Sequence, residues 1–116
     1  MILELIMLGS LLMNTNSFAT YEATAYCPCS YCNGNSLSVA KNGTPLEPNV
    51  TIAVDDDVIP LGSMVYIKGL GFRRADDTGS AIKGHRIDVL FPTHGEALEF
   101  GRRNIEVYVF DLAKEE

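Results

Sequence analysis

Ala75-Asp76-Asp77-Thr78-Gly79-Ser80-Ala81-Ile82-Lys83-Gly84-His85-Arg86-Ile87-Asp88-Val89-Leu90-Phe91 holds two apolar runs around a glycine-bounded turn. In the second run Ile87, Val89 and Phe91 fall on one face and Asp88 and Leu90 on the other, the period-two signature of a strand. Working outward, similar runs rich in β-branched and aromatic residues occupy Thr20 to Tyr26, Val50 to Val54, Met64 to Lys68, Phe72 to Ala75 and Ile105 to Phe110. Six short strands separated by Gly, Pro, Asn and Asp predict an all-β fold. In so short a chain they are best closed into a barrel, which leaves no exposed edge. One short helix is signalled by Thr93 with Glu96 as a capping box, by apolar Ala97, Leu98 and Phe100, and by Gly101 as its stop. Arg102 and Arg103 follow, where the helix dipole is negative. Asn33 to Asn49, rich in Ser, Asn, Gly and Pro, reads as a surface loop.

The chain has 116 residues, 47% hydrophobic and 21% charged, enough for one small core and one domain. A net charge of −6 argues against a phosphate-tracking nucleic-acid binder and against a basic membrane-surface protein. Met1 to Met13 is apolar but broken by Glu4 and Gly9-Ser10, and it is shorter than the roughly 20 residues of a spanning helix. Polar Asn14-Thr15-Asn16 and then Ser17-Phe18-Ala19 place small residues where a signal peptidase reads. The expectation is an export leader over residues 1–19, a single domain over 20–116, and no membrane insertion after cleavage. Glu4 stands where such leaders usually carry Lys or Arg.

Cys27, Cys29 and Cys32 lie within six residues. In an exported chain a local disulfide, Cys29 or Cys27 with Cys32, is the first reading, with one thiol left over. A structural metal ranks second, because a closed site wants a fourth ligand and only the distant His85 and His94 remain. A catalytic thiol ranks third.

The acids are clustered as Asp55-Asp56-Asp57, Asp76-Asp77 and Asp88. Taken alone, a strand carboxylate such as Asp88 most often faces solvent. The turn Asp77 to Gly84 shifts that balance, since its glycines, Thr78, Ser80 and Lys83 can bring hydroxyls, amides and a positive charge to a ligand. The spacing does not match a P-loop, and a plain hairpin turn is the ordinary alternative.

These stretches, with Ile52-Ala53-Val54-Asp55, Ile59-Pro60-Leu61-Gly62-Ser63 and Phe91-Pro92-Thr93-His94-Gly95-Glu96-Ala97, resemble the three-aspartate (3D) domain. That domain closes the membrane-bound lytic murein transglycosylase A family and occurs in small secreted stationary-phase and resuscitation-factor-like bacterial proteins. The resemblance extends from about Thr24 to Val109. It implies a small double-psi β-barrel, RlpA-like, and it implies that Asp55, Asp77 and Asp88 are the naming aspartates, with Asp88 at the position of the catalytic acid. Slipping the Asp76-Asp77 pair by one would change the second assignment; Thr78-Gly79 favours Asp77. Secreted members often carry another Cys after the one matching Cys32, where this chain has Asn33.

The implied activity is cleavage of the MurNAc-GlcNAc β-1,4 bond of peptidoglycan with a 1,6-anhydro-muramyl product. Such chemistry needs a carboxylic acid protonated at working pH, and like charges crowded into one groove raise the proton affinity of at least one. Asp88 is expected to act as acid and base, with Asp55 and Asp77 tuning it or facing the cationic sugar. Thr78, Gly79, Ser80, Lys83, Gly84 and His94 are expected to hold the glycan, without cofactor or metal. A secreted or wall-associated location follows. Three other readings stand beside it: a hydrolase in which Asp55 or Asp77 activates water, a non-catalytic wall-binding module, and, more weakly, a metal site of the acids with His94.

Overall fold

The computed structural model describes residues 15–28, 40–41 and 43–110. Six strands, β1 (Thr15–Tyr26), β2 (Thr51–Ala53), β3 (Met64–Ile67), β4 (Gly71–Asp77), β5 (Arg86–Leu90) and β6 (Arg103–Phe110), close into a barrel in the order β1-β5-β2-β4-β3-β6. β1 with β5 and β2 with β4 run parallel, and the remaining neighbours antiparallel. Alternation sets the core: Tyr21, Ala23, Ile52, Val54, Val65, Ile67, Ala75, Ile87, Val89, Val107 and Val109 point inward and are buried. The residues between them face outward.

The single helix among the described residues, α1 (His94–Phe100), begins and ends where the sequence predicts. Thr93 Oγ1 accepts the amide of Glu96 at 3.1 Å, and the amide of Gly101, at φ 67°, donates to the carbonyl of Ala97. Arg103 closes the helix end by donating to the Phe100 carbonyl through Nε and Nη2, with its guanidinium 4.1 Å from the centre of the Phe100 ring.

Two departures from the sequence reading matter. First, β1 starts at Thr15 rather than Thr20, because residues 15–19 pair with the end of β6 (Phe18 with Tyr108, Ala19 with Val107). The Phe18 ring stacks on Tyr108 at 4.5 Å between centroids. Ala19 therefore lies within a continuous strand, and a cut after it would remove the part of β1 that covers the far end of β6. Second, β4 runs on to Asp77 and is irregular where it meets β2: Ile52 pairs with Ala75, but Ala53 pairs with Asp77, so Asp76 is an extra residue in the ladder. Ala75 and Asp76 are consequently both buried, in violation of strict alternation.

Candidate functional site

Reading the register across the barrel wall gives one row of outward residues on four adjacent strands. Thr24 on β1 is opposite Asp88 on β5, Asp88 is opposite Ala53 on β2, and Ala53 is opposite Asp77 on β4. Residues directly opposite in a ladder share a face, so Asp88 and Asp77 stand on either side of the smallest side chain in the row. Two strand spacings put their Cα atoms about 10 Å apart. The methyl group of Ala53 floors the gap between them.

The bulge creates this arrangement. Without the extra residue, Asp77 would share the inward face of Ala75; with Asp76 inserted, Asp77 is turned out beside Ala53. Asp76 stays behind as a buried anchor, accepting from Thr51 Oγ1 at 2.9 Å and from Arg74 Nε at 2.6 Å. The bulge thus separates the two acids: Asp77 faces the gap beside Ala53, and Asp76 does not.

Asp88 is half-buried, and its pKa is raised to about 6. Burial of the carboxyl is the largest cause; the Asp77 charge adds a smaller push, while the Thr24 hydrogen bond and the Arg86 charge oppose it. Desolvation therefore outranks the like-charge crowding expected from the sequence, and Asp55 is not among the causes. Thr24 Oγ1 lies 2.9 Å from Asp88 Oδ1 and 3.3 Å from the Ile87 carbonyl. One hydroxyl can accordingly accept from a protonated Asp88 while donating to Ile87, or donate to the ionised carboxylate.

Asp77 Oδ1 accepts the amides of Lys41 at 2.9 Å and Thr78 at 3.0 Å, so it ties Lys41 of the long loop to the groove. Asp55, two residues past β2, accepts the amide of Gly84 at 2.8 Å and that of Asp57 at 3.0 Å. Those two donors, Gly84 first, hold its pKa below the usual carboxylate value, with help from the charge of Lys83. The Gly84 amide expected to meet a ligand is thereby committed to Asp55. Ile82 buries itself under the 78–85 turn, and a side chain on Gly79 would come within 3.0 Å of it. Ser80 and Lys83 are exposed; Thr78, Gly79 and Gly84 are half-buried.

Asp55→Ala is expected to release this turn and lower the melting temperature. The sign with pH is fixed by the depressed pKa: the stabilisation is present above the ordinary carboxylate value and fades as pH falls through the lower folded-state value. Thermal melts of both proteins from neutral to strongly acid pH should converge at the acid end.

His94 opens α1 with its Nδ1 3.7 Å from Sγ of buried Cys27. Cys29 and Cys32, and with them the expected disulfide, lie outside the described residues. Among the described residues, the His, Cys, Asp and Glu ligand atoms that converge in a group of three are those of Asp55, Asp56 and Asp57, without His94. No described helix is long and apolar enough to cross a membrane. A depression of about 360 Å³ beside α1, lined by Phe91, Phe100 and Arg103 among others, contains none of the three aspartates. Thr24 and Ala53 were not legible as site residues: each is an ordinary strand residue until the register places it beside Asp88.

The chain is similar to YabE of Bacillus subtilis (strain 168), named for cell wall shaping, at 40% identity over 102 residues, covering 84% of this chain and 24% of that protein. It is 42% identical over 95 residues to the cell wall-binding protein YocH of the same organism, covering 79% and 32%. It thus spans a third or less of the length of these relatives. Among solved structures, E. coli MltA with bound chitohexaose aligns with TM-score 0.55 at 22% identity over 63% of this chain and 27% of that one, a likeness of fold. The lytic transglycosylase LtgG of Burkholderia pseudomallei aligns with TM-score 0.51 at 31% identity over 62% and 26%. The model of the 3D domain matches residues 50–111, more than half of the 116 and a span that holds Asp55, Asp77 and Asp88, and the chain belongs to the 3D domain family.

Proposed function

We propose that the row Thr24–Asp88–Ala53–Asp77 is the acid site of a peptidoglycan lytic transglycosylase acting on the MurNAc-GlcNAc β-1,4 bond. The observation that carries the reading is a half-buried carboxyl on an outward strand face, with its pKa raised to about 6 by desolvation. A carboxylic acid of that strength keeps a useful protonated fraction near neutral pH and still gives up its proton readily. The likeness to LtgG and MltA and the names of the Bacillus relatives support a role on wall glycan, at or outside the cell surface.

In the proposed reaction Asp88 donates its proton to the glycosidic oxygen as the bond from that oxygen to the muramyl C1 breaks. Positive charge grows at C1, and the carboxylate of Asp77 across the Ala53 gap faces it. The muramyl C6 oxygen then bonds to C1 and releases its proton to the Asp88 carboxylate, restoring the acid. No water enters. The nucleophile is already part of the substrate, so positioning takes the place of water activation. Asp55 acts by holding the 78–85 turn, from which Thr78, Ser80 and Lys83 reach the glycan; Gly79 and Gly84 shape that turn, and His94 stands at the start of α1 beside Cys27. The two parallel strand pairs support a double-psi form of the barrel.

A second reading is favoured by one observation: YocH is named as a binder, and this chain covers a third of it. On that reading the groove holds glycan without cutting it. Incubating the purified chain with insoluble wall and weighing released products by mass spectrometry separates the cases. Fragments lacking the elements of water at the muramyl end are expected; fully hydrated ends would make the enzyme a hydrolase, and retention on the wall without release would make it a binding module.

A further inference from the structure

Tyr26 is the last residue of β1, on the outward face two positions beyond Thr24 and diagonal to Asp88 across the β1–β5 pair. Its side chain is 6% exposed, and its hydroxyl is buried without a hydrogen-bond partner among the described residues. Its backbone is fixed, since the carbonyl of Tyr26 accepts the amide of Phe91 at 2.8 Å. The surroundings are anionic: after burial, the charges of Asp77, Asp88 and Asp76 in that order hold the phenol proton in place. Diagonal neighbours in a ladder are within reach of an aromatic side chain. An orphaned buried donor costs folding free energy, and its persistence beside two carboxylates asks for a use.

We propose that Tyr26 is a positioning residue for Asp88: its hydroxyl, unpartnered in the resting groove, becomes the donor to the Asp88 carboxylate once that carboxyl has given its proton to the glycan. The inference rests on the proposed role of Asp88 as the acid. While Asp88 is protonated its own O–H is met by Thr24, and a second donor has little to gain. When the proton leaves, a desolvated carboxylate appears with one hydroxyl, that of Thr24, already beside it. A second donor then acts mainly on the state in which the charge has formed, which is how a hydrogen bond accelerates a step rather than merely tightening binding. The other charged groups acting on Asp88 are Arg86, on its own strand and bound to Glu22 of β1 at 2.7 Å, and Asp77 of β4; β2 presents the neutral Ala53.

The test is Tyr26→Phe, which removes only the oxygen. Its melting temperature is expected to equal or exceed that of the unaltered chain, because the lost hydroxyl had no partner. Carbon-detected NMR titration of the Asp88 carboxyl is expected to move upward by about one pH unit, since the ionised form loses a donor. Turnover of wall glycan is expected to fall about ten- to a hundredfold with KM nearly unchanged, the loss of a hydrogen bond to a charged group. A marked fall in stability, or an Asp88 titration that does not move, would overturn the assignment. If the unaltered chain releases no muropeptide but the Asp88 titration still shifts in Tyr26→Phe, the cleavage reading fails while the Tyr26–Asp88 contact stands.

Discussion

Asp88→Asn is expected to cut muropeptide release from insoluble wall by about a thousandfold, the scale on which a positioned general acid contributes. The amide fits the same space and can still hydrogen-bond Thr24, but it has no proton to give. In the unaltered chain kcat/KM should fall as pH rises through about 6, the value of Asp88, because only the protonated form reacts. Stability should also fall with rising pH, but over a bounded range. Asp88 has a folded-state pKa above its unfolded value, so ionisation opposes folding: stability declines as pH climbs from the ordinary carboxylate range to about 6 and is then level. Asp88→Asn escapes that cost. It should melt higher than the unaltered chain at about pH 7, and the difference should shrink towards about pH 4. Undiminished release by Asp88→Asn would reject Asp88 as the acid.

The largest effect on the fold is expected at Asp76. Its carboxylate is fully buried and accepts from Thr51 Oγ1 and Arg74 Nε. Asp76→Ala would take away the acceptor of the buried Thr51 O–H, whose oxygen keeps only the Glu47 amide at 3.0 Å, and leave Arg74 with Glu47 at 2.6 Å as its remaining carboxylate. Breaking one side of a buried ion pair costs about 3 kcal/mol at the low end, the appropriate end here because the Arg74 side chain is 35% exposed. Urea denaturation at neutral pH would measure it. The loss should extend to the site, because Asp76 pins the bulge that turns Asp77 outward. Glycan cleavage by Asp76→Ala should therefore fall even at temperatures where the barrel is intact, whereas an equally destabilising change in the core far from β4 should leave it unaffected.

How much of this was readable beforehand follows from particular residues. Ile87-Asp88-Val89 declares its strand and its outward carboxyl by alternation alone, and Thr93 to Gly101 declares its helix by caps that act within a few residues. Asp55, Asp77 and Asp88 stood out only through the family resemblance. Their division of labour was not visible. Asp55 looks as exposed in sequence as Asp56 and Asp57, yet folding turns it to the Gly84 amide 29 residues away. Residues 15–19 resemble a processing site as readily as a strand, and their pairing with β6 depends on a partner some ninety residues on.

Local chemistry, period and capping act over a few bonds, so the strand set and the helix could be read from the amino-acid order. Which acid is buried, which is bonded and which faces the gap over Ala53 depends on ladder register and on one inserted residue, Asp76. Those are set by contacts between strands distant along the chain, and only the closed barrel decided them.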